Sequence, residues 1–205
     1  MKISNYLKSL KLEKLKSDLF STLFLLVTII ISSSISLILL ESVFYFSPGI
    51  KTLIIKTIFG AIIISIFFIG LFLFLVKNNY FKSYTWETLA KIIGKIIFPK
   101  NEDTALNAFQ IETTKSRSQS NELANNFTKE VAKEMQKHNP SDLIDKRPLI
   151  NLKMITVVVM FLSILSLSIF SKQSANSFYR WKNYSEKFHA PKPFQLYSLT
   201  KNQNI

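Results

Sequence analysis

The sequence contains no cysteine, only four glycines and only two histidines among its 205 residues. Without cysteine the chain can form neither a disulfide nor a thiolate metal site, and it has no thiol nucleophile. Four glycines provide no glycine-rich loop to bind phosphate. The two histidines, His138 and His189, are each expected to be solvated loop residues. We therefore predict no catalytic, cofactor-binding or metal-binding residues.

Charged residues are also absent from two long stretches. Residues 19 to 40 and residues 57 to 76 carry no charge. Each run has about 20 residues, the length that a helix needs to cross roughly 30 Å of hydrocarbon. Ser47, Pro48 and Gly49 lie between the runs as a turn signal, in which proline presets φ and Gly49 is free to take a positive φ. Residues 19 to 76 are therefore predicted to form a transmembrane helical hairpin.

A third uncharged run, residues 154 to 171, is just long enough to span and predicts a third transmembrane helix. The predicted fold class is an all-α membrane protein. Residues 1 to 18 form a basic amphipathic lead-in, with Tyr6, Leu7 and Leu10 on one apolar side. Two interpretations stay open: a helix lying on the membrane surface, or a plain extension of the first span.

Residues 77 to 153, between the second and third spans, are predicted to be a cytoplasmic segment of amphipathic helices. Apolar residues from Trp86 onward follow helical spacing until Pro99 ends the run. Further helices are predicted over residues 102 to 114 and 120 to 137. These helices either share one core as a small subdomain against the membrane, or they are independent of one another.

Residues 172 to 205 are predicted to be a short extended tail outside the cytoplasm. Trp181 and Tyr184 lie near its start, and such residues favour the interface between membrane and water. Pro191 and Pro193 favour extended backbone, and a strand-like alternation of apolar residues follows from Phe194. A single strand is not stable alone, so it would pair with a partner or begin a further β-rich domain.

Positive charge dominates, with 26 Lys and Arg against 13 Asp and Glu and a net charge of +13. Five lysines lie in residues 1 to 18, and 13 basic residues lie in residues 77 to 153. Basic residues that flank apolar runs are typical of contact with anionic lipid head groups, and no motif indicates nucleic-acid binding. By the positive-inside rule the N-terminus is cytoplasmic, and three spans place the C-terminus outside.

Polar residues in and beside the spans suggest how the helices pack. Ser32 and Ser36 have the small-xxx-small spacing that lets membrane helices approach, although serine also bonds readily within its own helix. Glu41 and Lys56 are lone charges about equally far from the predicted turn. They are expected to pair at the outer end of the hairpin; the alternative is that each reaches water separately.

Local patterns accompany this order of segments: an aromatic–Ser–Pro turn at residues 44 to 48, the run Asp-Thr-Ala-Leu-Asn-Ala-Phe-Gln at residues 103 to 110, and Pro-Lys-Pro-Phe at residues 191 to 194. With its lysine-rich start, the chain resembles the N-terminal three-span membrane region of a family of large, mostly uncharacterised bacterial envelope proteins. In that family an extracytoplasmic β-domain and long helical regions follow the third span. The resemblance implies an anchoring module and no activity.

The sequence thus predicts a multi-pass inner-membrane anchor or scaffold module of a bacterial envelope protein or assembly, and not an enzyme. The expected partners are the lipid bilayer and other envelope proteins, or a C-terminal region that this chain lacks. A small accessory subunit of a transporter or channel complex is the alternative. It is disfavoured because the second and third spans lack the ionisable residues that substrate pathways usually need.

Labelling of single cysteines tests the topology, since the chain has no cysteine of its own. Ser118→Cys in the long cytoplasmic segment is expected to resist a membrane-impermeant thiol reagent in intact cells, and Ser185→Cys in the tail is expected to react. Both sites should react once the membrane is permeabilised, which controls for accessibility. Labelling of the Ser118 site but not the Ser185 site in intact cells would invert the topology.

Overall fold

The computed structural model describes residues 2 to 114 and 122 to 190. Within these ranges the chain is helical and contains no strand, in agreement with the predicted all-α class. The α-helices in these ranges are α1 (Ile3–Phe44), α2 (Pro48–Lys77), α3 (Trp86–Ile97), α4 (Thr104–Thr114), α5 (Glu122–Gln136), α6 (Arg147–Ile169) and α7 (Ser171–Lys182). Short 3-10 turns lie at Lys82–Tyr84 and Pro140–Asp142.

Three of these helices, α1, α2 and α6, are long and apolar enough to cross a membrane, judged by length and composition. α1 and α2 contain the first two predicted uncharged runs, and α6 contains the third as far as Ile169. The apolar side chains of these runs are largely exposed. α6 begins at Arg147, earlier than the uncharged run. The reason is local, because the Asp145 side chain accepts a hydrogen bond from the backbone N–H of Arg147 at 2.9 Å.

The connection between α1 and α2 is short, and its geometry differs from the prediction. α1 ends at Phe44, and α2 begins at Pro48, whose fixed φ suits the first helical position. Gly49 does not adopt the positive φ that is open to glycine, since it lies inside α2. Tyr45 adopts the left-handed conformation instead, with a φ of 48°. That conformation commonly ends a helix, so the turn begins before the Pro-Gly pair.

The chain divides into two compact units. The first combines Met1–Ile29 with Ile63–Met160, and the second combines Ile30–Ile62 with Phe161–Ile205. α1, α2 and α6 each contribute residues to both units.

In the first unit the start of α1 packs into one core with α3, α4 and α5, and we name this part the helical head. The buried residues of the core include Ile3, Tyr6, Leu7, Leu10, Leu89, Ile93, Ala105, Ala108, Val131 and Met135. α3, α4 and α5, between the second and third long helices, therefore share a core and are not independent. The lead-in is a continuation of the first long helix, and its apolar side faces protein.

Glu112 on α4 binds the N-terminus of α1. Its carboxylate accepts hydrogen bonds from the backbone N–H groups of Ile3, at 3.1 Å, and Ser4, at 2.9 Å. These are two of the amide groups that the first turn of a helix leaves without partners. Nearby, the Tyr6 hydroxyl donates to the carbonyl of His138 at 2.7 Å. The start of α1 is thus fixed by polar as well as apolar contacts.

Lys11 of α1 binds the C-terminal end of α2. Its ammonium group donates to the carbonyl of Val76 at 2.9 Å and to the side chain of Asn79 at 2.7 Å. About two turns further along α1, the buried Tyr84 hydroxyl donates to the Asp18 carboxylate. Burial raises the pKa of Tyr84, and so do the hydrogen bond and the charge of Asp18. Tyr84 therefore keeps its proton and remains a donor at neutral pH.

A hydroxyl pair joins two of the long helices in the first unit. Thr28 of α1 and Thr156 of α6 lie 2.8 Å apart between their Oγ1 atoms, and Thr156 is buried. Interhelical bonds of this kind contribute about 0.6 to 2 kcal/mol in a membrane. Ser36, by contrast, donates to the carbonyl of Ser32 within its own helix at 2.8 Å. The serine pair follows the alternative that serine bonds its own helix.

Gly94 in α3 allows the connection between α3 and α4 to pass close by. A Cβ atom at Gly94 would lie 1.7 Å from the backbone oxygen of Glu102. Gly94→Ala is therefore expected to destabilise the helical head by about 1–3 kcal/mol or more, because backbone has to move. Thermal melting and limited proteolysis of the purified chain measure this.

Gly60→Ala is the matched control, because a Cβ atom at Gly60 in α2 meets nothing within 4 Å. This change should be neutral or stabilising by up to about 1 kcal/mol, since alanine favours a helix over glycine. Equal behaviour of the two variants would show that the close approach at Gly94 is absent.

Candidate functional site: a buried charge cluster

Three charged side chains are buried together in the second unit. Glu41 lies in the last turn of α1, Lys51 in the first turn of α2 and Arg180 in the last turn of α7. The relative exposures are 0% for Glu41, 0% for Lys51 and 7% for Arg180. We name these three residues the charge cluster. Charged residues are almost never fully buried unless they are paired, so their contacts decide what the cluster does.

The carboxylate of Glu41 is the centre of the cluster. Its Oε1 atom lies 2.9 Å from Nζ of Lys51 and 3.1 Å from Nε of Arg180. Its Oε2 atom accepts the backbone N–H of Phe46 at 2.9 Å, in the connection between α1 and α2. Both carboxylate oxygens therefore have donors, which is the condition for a stable buried charge.

One carboxylate faces two cations, so the cluster carries one excess positive charge. The partial negative charge at the C-terminal ends of two helices offsets this excess. Arg180 donates through Nη2 to the carbonyl of Glu41 at 3.0 Å, in the last turn of α1. Lys51 donates to the carbonyl of Arg180 at 3.2 Å, in the last turn of α7. The C-terminal end of a helix carries about half a negative charge, so each cation lies where that charge is concentrated.

Aromatic rings cover both cations. Nζ of Lys51 lies 5.0 Å from the ring centre of Phe188, and the Arg180 guanidinium lies 4.3 Å from the ring of Tyr45. Such contacts stabilise a desolvated cation by about 2 kcal/mol. The ring beneath Arg180 belongs to the residue with the left-handed backbone, so the same contact holds the turn after α1.

The predicted pair between Glu41 and Lys56 is wrong in its second partner. Lys56 is exposed, and Lys51 lies beside Glu41 instead. The prediction placed the middle of the turn at Pro48 and Gly49. Because α2 already begins at Pro48, Lys51 is only one helical turn from the connection and is level with the last turn of α1.

The third member comes from a segment predicted to be extended. Ser171–Lys182 is the helix α7, which corrects the first part of the predicted tail at residues 172 to 205. Ser174, Ser177 and Arg180 are its buried residues, and their spacing of three places them on one helical face. Because the buried face of α7 is polar, the spacing of apolar residues does not predict this helix. The predicted strand after Phe194 lies outside the described residues.

The contacts of the charge cluster hold neighbouring helices together. They fix α7 against the connection between α1 and α2, and Trp181 adds a hydrogen bond from Nε1 to the carbonyl of Leu37 at 3.3 Å. Over residues 2 to 114 and 122 to 190, no group of three or more His, Asp or Glu side chains is placed to hold a metal ion.

Removal of the shared carboxylate should be the most damaging single change in the cluster. Glu41→Leu leaves two buried cations without a counter-charge and is expected to cost about 3–5 kcal/mol. Lys51→Leu should cost less, because Glu41 keeps Arg180. The double variant should be more stable than the sum of the single effects predicts, by about 1 kcal/mol or more. Thermal melting in detergent measures all three.

Lys56→Leu is the control for this cycle. It should change stability by no more than about 0.5 kcal/mol, and its effect should add to that of Glu41→Leu. Coupling between Glu41 and Lys56, with none between Glu41 and Lys51, would contradict the observed pairing.

Comparison with known proteins found no matching family model, no matching curated protein and no matching solved structure. The resemblance to bacterial envelope proteins drawn from the sequence therefore stays a prediction.

Proposed function

We propose that this chain is an integral membrane anchor and scaffold module of a bacterial envelope protein or assembly, with no catalytic activity. The observation that carries the proposal is the exposed apolar surface of α1, α2 and α6. In water, each Å² of such surface costs about 25 cal/mol, so helices of this composition need lipid or other membrane helices around them.

Charge supports the proposed orientation. Lys77, Lys82 and Lys153 are exposed close to the ends of the apolar runs, where anionic lipid head groups would neutralise them. With the lysines of the lead-in, they favour an inner-membrane topology that has the N-terminus and the helical head in the cytoplasm. The same rule places the connection between α1 and α2 outside.

The fixed geometry of each unit supports a scaffold. In the helical head, one core unites four helices and Glu112 binds the first turn of α1. In the second unit, the charge cluster holds α7 by contacts with both Glu41 and Lys51. Buried groups that bond to several partners resist rearrangement, which suits a part that keeps other proteins in place.

An accessory subunit of a transporter or channel complex is the second candidate. One observation favours it, since ionisable residues buried within membrane helices often mark pathways for ions or substrates. Two members of the charge cluster, Glu41 and Lys51, are buried ionisable residues of candidate membrane helices. Its three side chains bond to one another and to helix ends, however, so the cluster is better suited to fixing helices than to passing an ion.

Extraction and reconstitution test the proposal together. Membranes that contain the tagged chain are washed with alkaline carbonate, extracted in mild detergent and separated by native electrophoresis. We expect the chain to resist carbonate and to migrate in an assembly with envelope proteins. Solute flux through liposomes that contain only this chain would overturn the scaffold proposal in favour of transport.

Two glycine variants separate anchoring from assembly in this experiment. Gly94→Ala should disturb the helical head and release the assembly, while the chain stays in the carbonate-resistant fraction. Gly60→Ala, which meets open space, should keep both properties. Release of the assembly by both variants, or by neither, would argue against a role of the head in holding partners.

A further inference from the structure

The helical head carries a groove that is bordered by residues of its core and of the helices around it. It lies where the end of α3 passes α5, and its cavity volume is about 560 Å³. Ile97 and Phe98 line one side, and Phe127 and Val131 of α5 line the other. We name this the head groove. Its floor is therefore apolar and belongs to a part of the chain predicted to be cytoplasmic.

Acidic residues surround the head groove. Glu130 and Glu134 line its α5 side, and Lys100 lines the opposite side. An adjoining hollow of about 310 Å³ shares Phe127 with the groove and adds Glu102 and Asp103. Four carboxylates thus outnumber two lysines, Lys100 and the Lys137 that pairs with Glu134, in a chain whose net charge is +13. The local charge is opposite to that of the chain as a whole.

α5 extends the apolar floor beyond the groove. Leu123 lies one helical turn before Phe127 and is 79% exposed. Glu134 forms an ion pair with Lys137 at 2.6 Å, whereas Glu130 has no ion pair with any described residue. Along α5 from its N-terminus, the face beside the groove therefore presents Leu123 and Phe127, followed by Glu130, whose carboxylate is available to a partner.

From these features we infer that the head groove binds an amphipathic helix with a cationic side, supplied by a partner protein. The apolar side of that helix would cover Phe127 and Leu123, and its Lys or Arg residues would reach Glu130 and Glu134. Helix-in-groove recognition uses apolar anchors at this spacing, and opposite charge fixes the register. The inference rests on the proposed scaffold function and specifies the chemistry of one partner.

Synthetic peptides test the inference on the full chain in nanodiscs of phosphatidylcholine, a lipid without net charge. One fluorescent peptide of about four helical turns has leucines at helical spacing and lysines between them. A second peptide carries glutamates in place of the lysines. We expect fluorescence anisotropy to show saturable binding of the lysine peptide and none of the glutamate peptide. Empty nanodiscs give the background that is subtracted.

Variants locate the binding surface. Glu130→Lys should weaken binding of the lysine peptide at least about tenfold, and Leu123→Gln should weaken it severalfold without loss of the fold, because Leu123 is exposed. Glu87→Lys is the matched control, because it changes the charge by the same amount as Glu130→Lys. Glu87 is exposed and does not line the groove. The control should bind as the wild type does.

Equal binding of the two peptides would overturn the inference, and so would wild-type affinity in Glu130→Lys or the same loss in Glu87→Lys. Binding no greater than that of empty nanodiscs would also overturn it. If the native assembly nevertheless forms, the scaffold function stands and only the head groove is excluded as its partner site.

Discussion

The ends of helices are the constraint on which this structure depends. A helix leaves backbone N–H groups without partners at its start and carbonyl groups at its end. In the described part of this chain, charged side chains from distant segments bind several of these ends. Glu112 binds the N-terminus of α1, Lys11 the C-terminal end of α2, Arg180 that of α1 and Lys51 that of α7. In each case the sign of the charge is the one that the helix dipole favours.

These contacts show that some of the basic residues stabilise the fold. Lys11, Lys51 and Arg180 count as topology signals when only the sequence is read, yet each binds a helix end in the structure. A basic residue near an apolar run thus has two physical roles, which a count of charges does not separate. In the proposed membrane topology, exposed lysines such as Lys77 and Lys82 are the ones available to lipid head groups.

Local patterns made the helices predictable, and long-range pairing was not predictable. Pro99 and the apolar spacing before it gave α3 almost to the residue, because a helix boundary depends on neighbouring residues. Glu41 was also recognised as a charge that needs a partner. Its partners were missed because a three-residue shift of the turn moves the choice from Lys56 to Lys51, and because Arg180 lies on a helix whose buried face is polar.

The spacing of the cluster along the chain also sets an order of events during synthesis. Arg180 follows Lys51 by 129 residues, so at about 5 to 20 residues per second it emerges roughly 6 to 26 s later. Until then Glu41 and Lys51 are able to form a neutral ion pair by themselves across the three-residue connection between α1 and α2. The excess positive charge arrives last, together with the α7 carbonyl and the Phe188 ring that accommodate Lys51. The ribosome therefore delivers each charge close to the time at which its compensation becomes available.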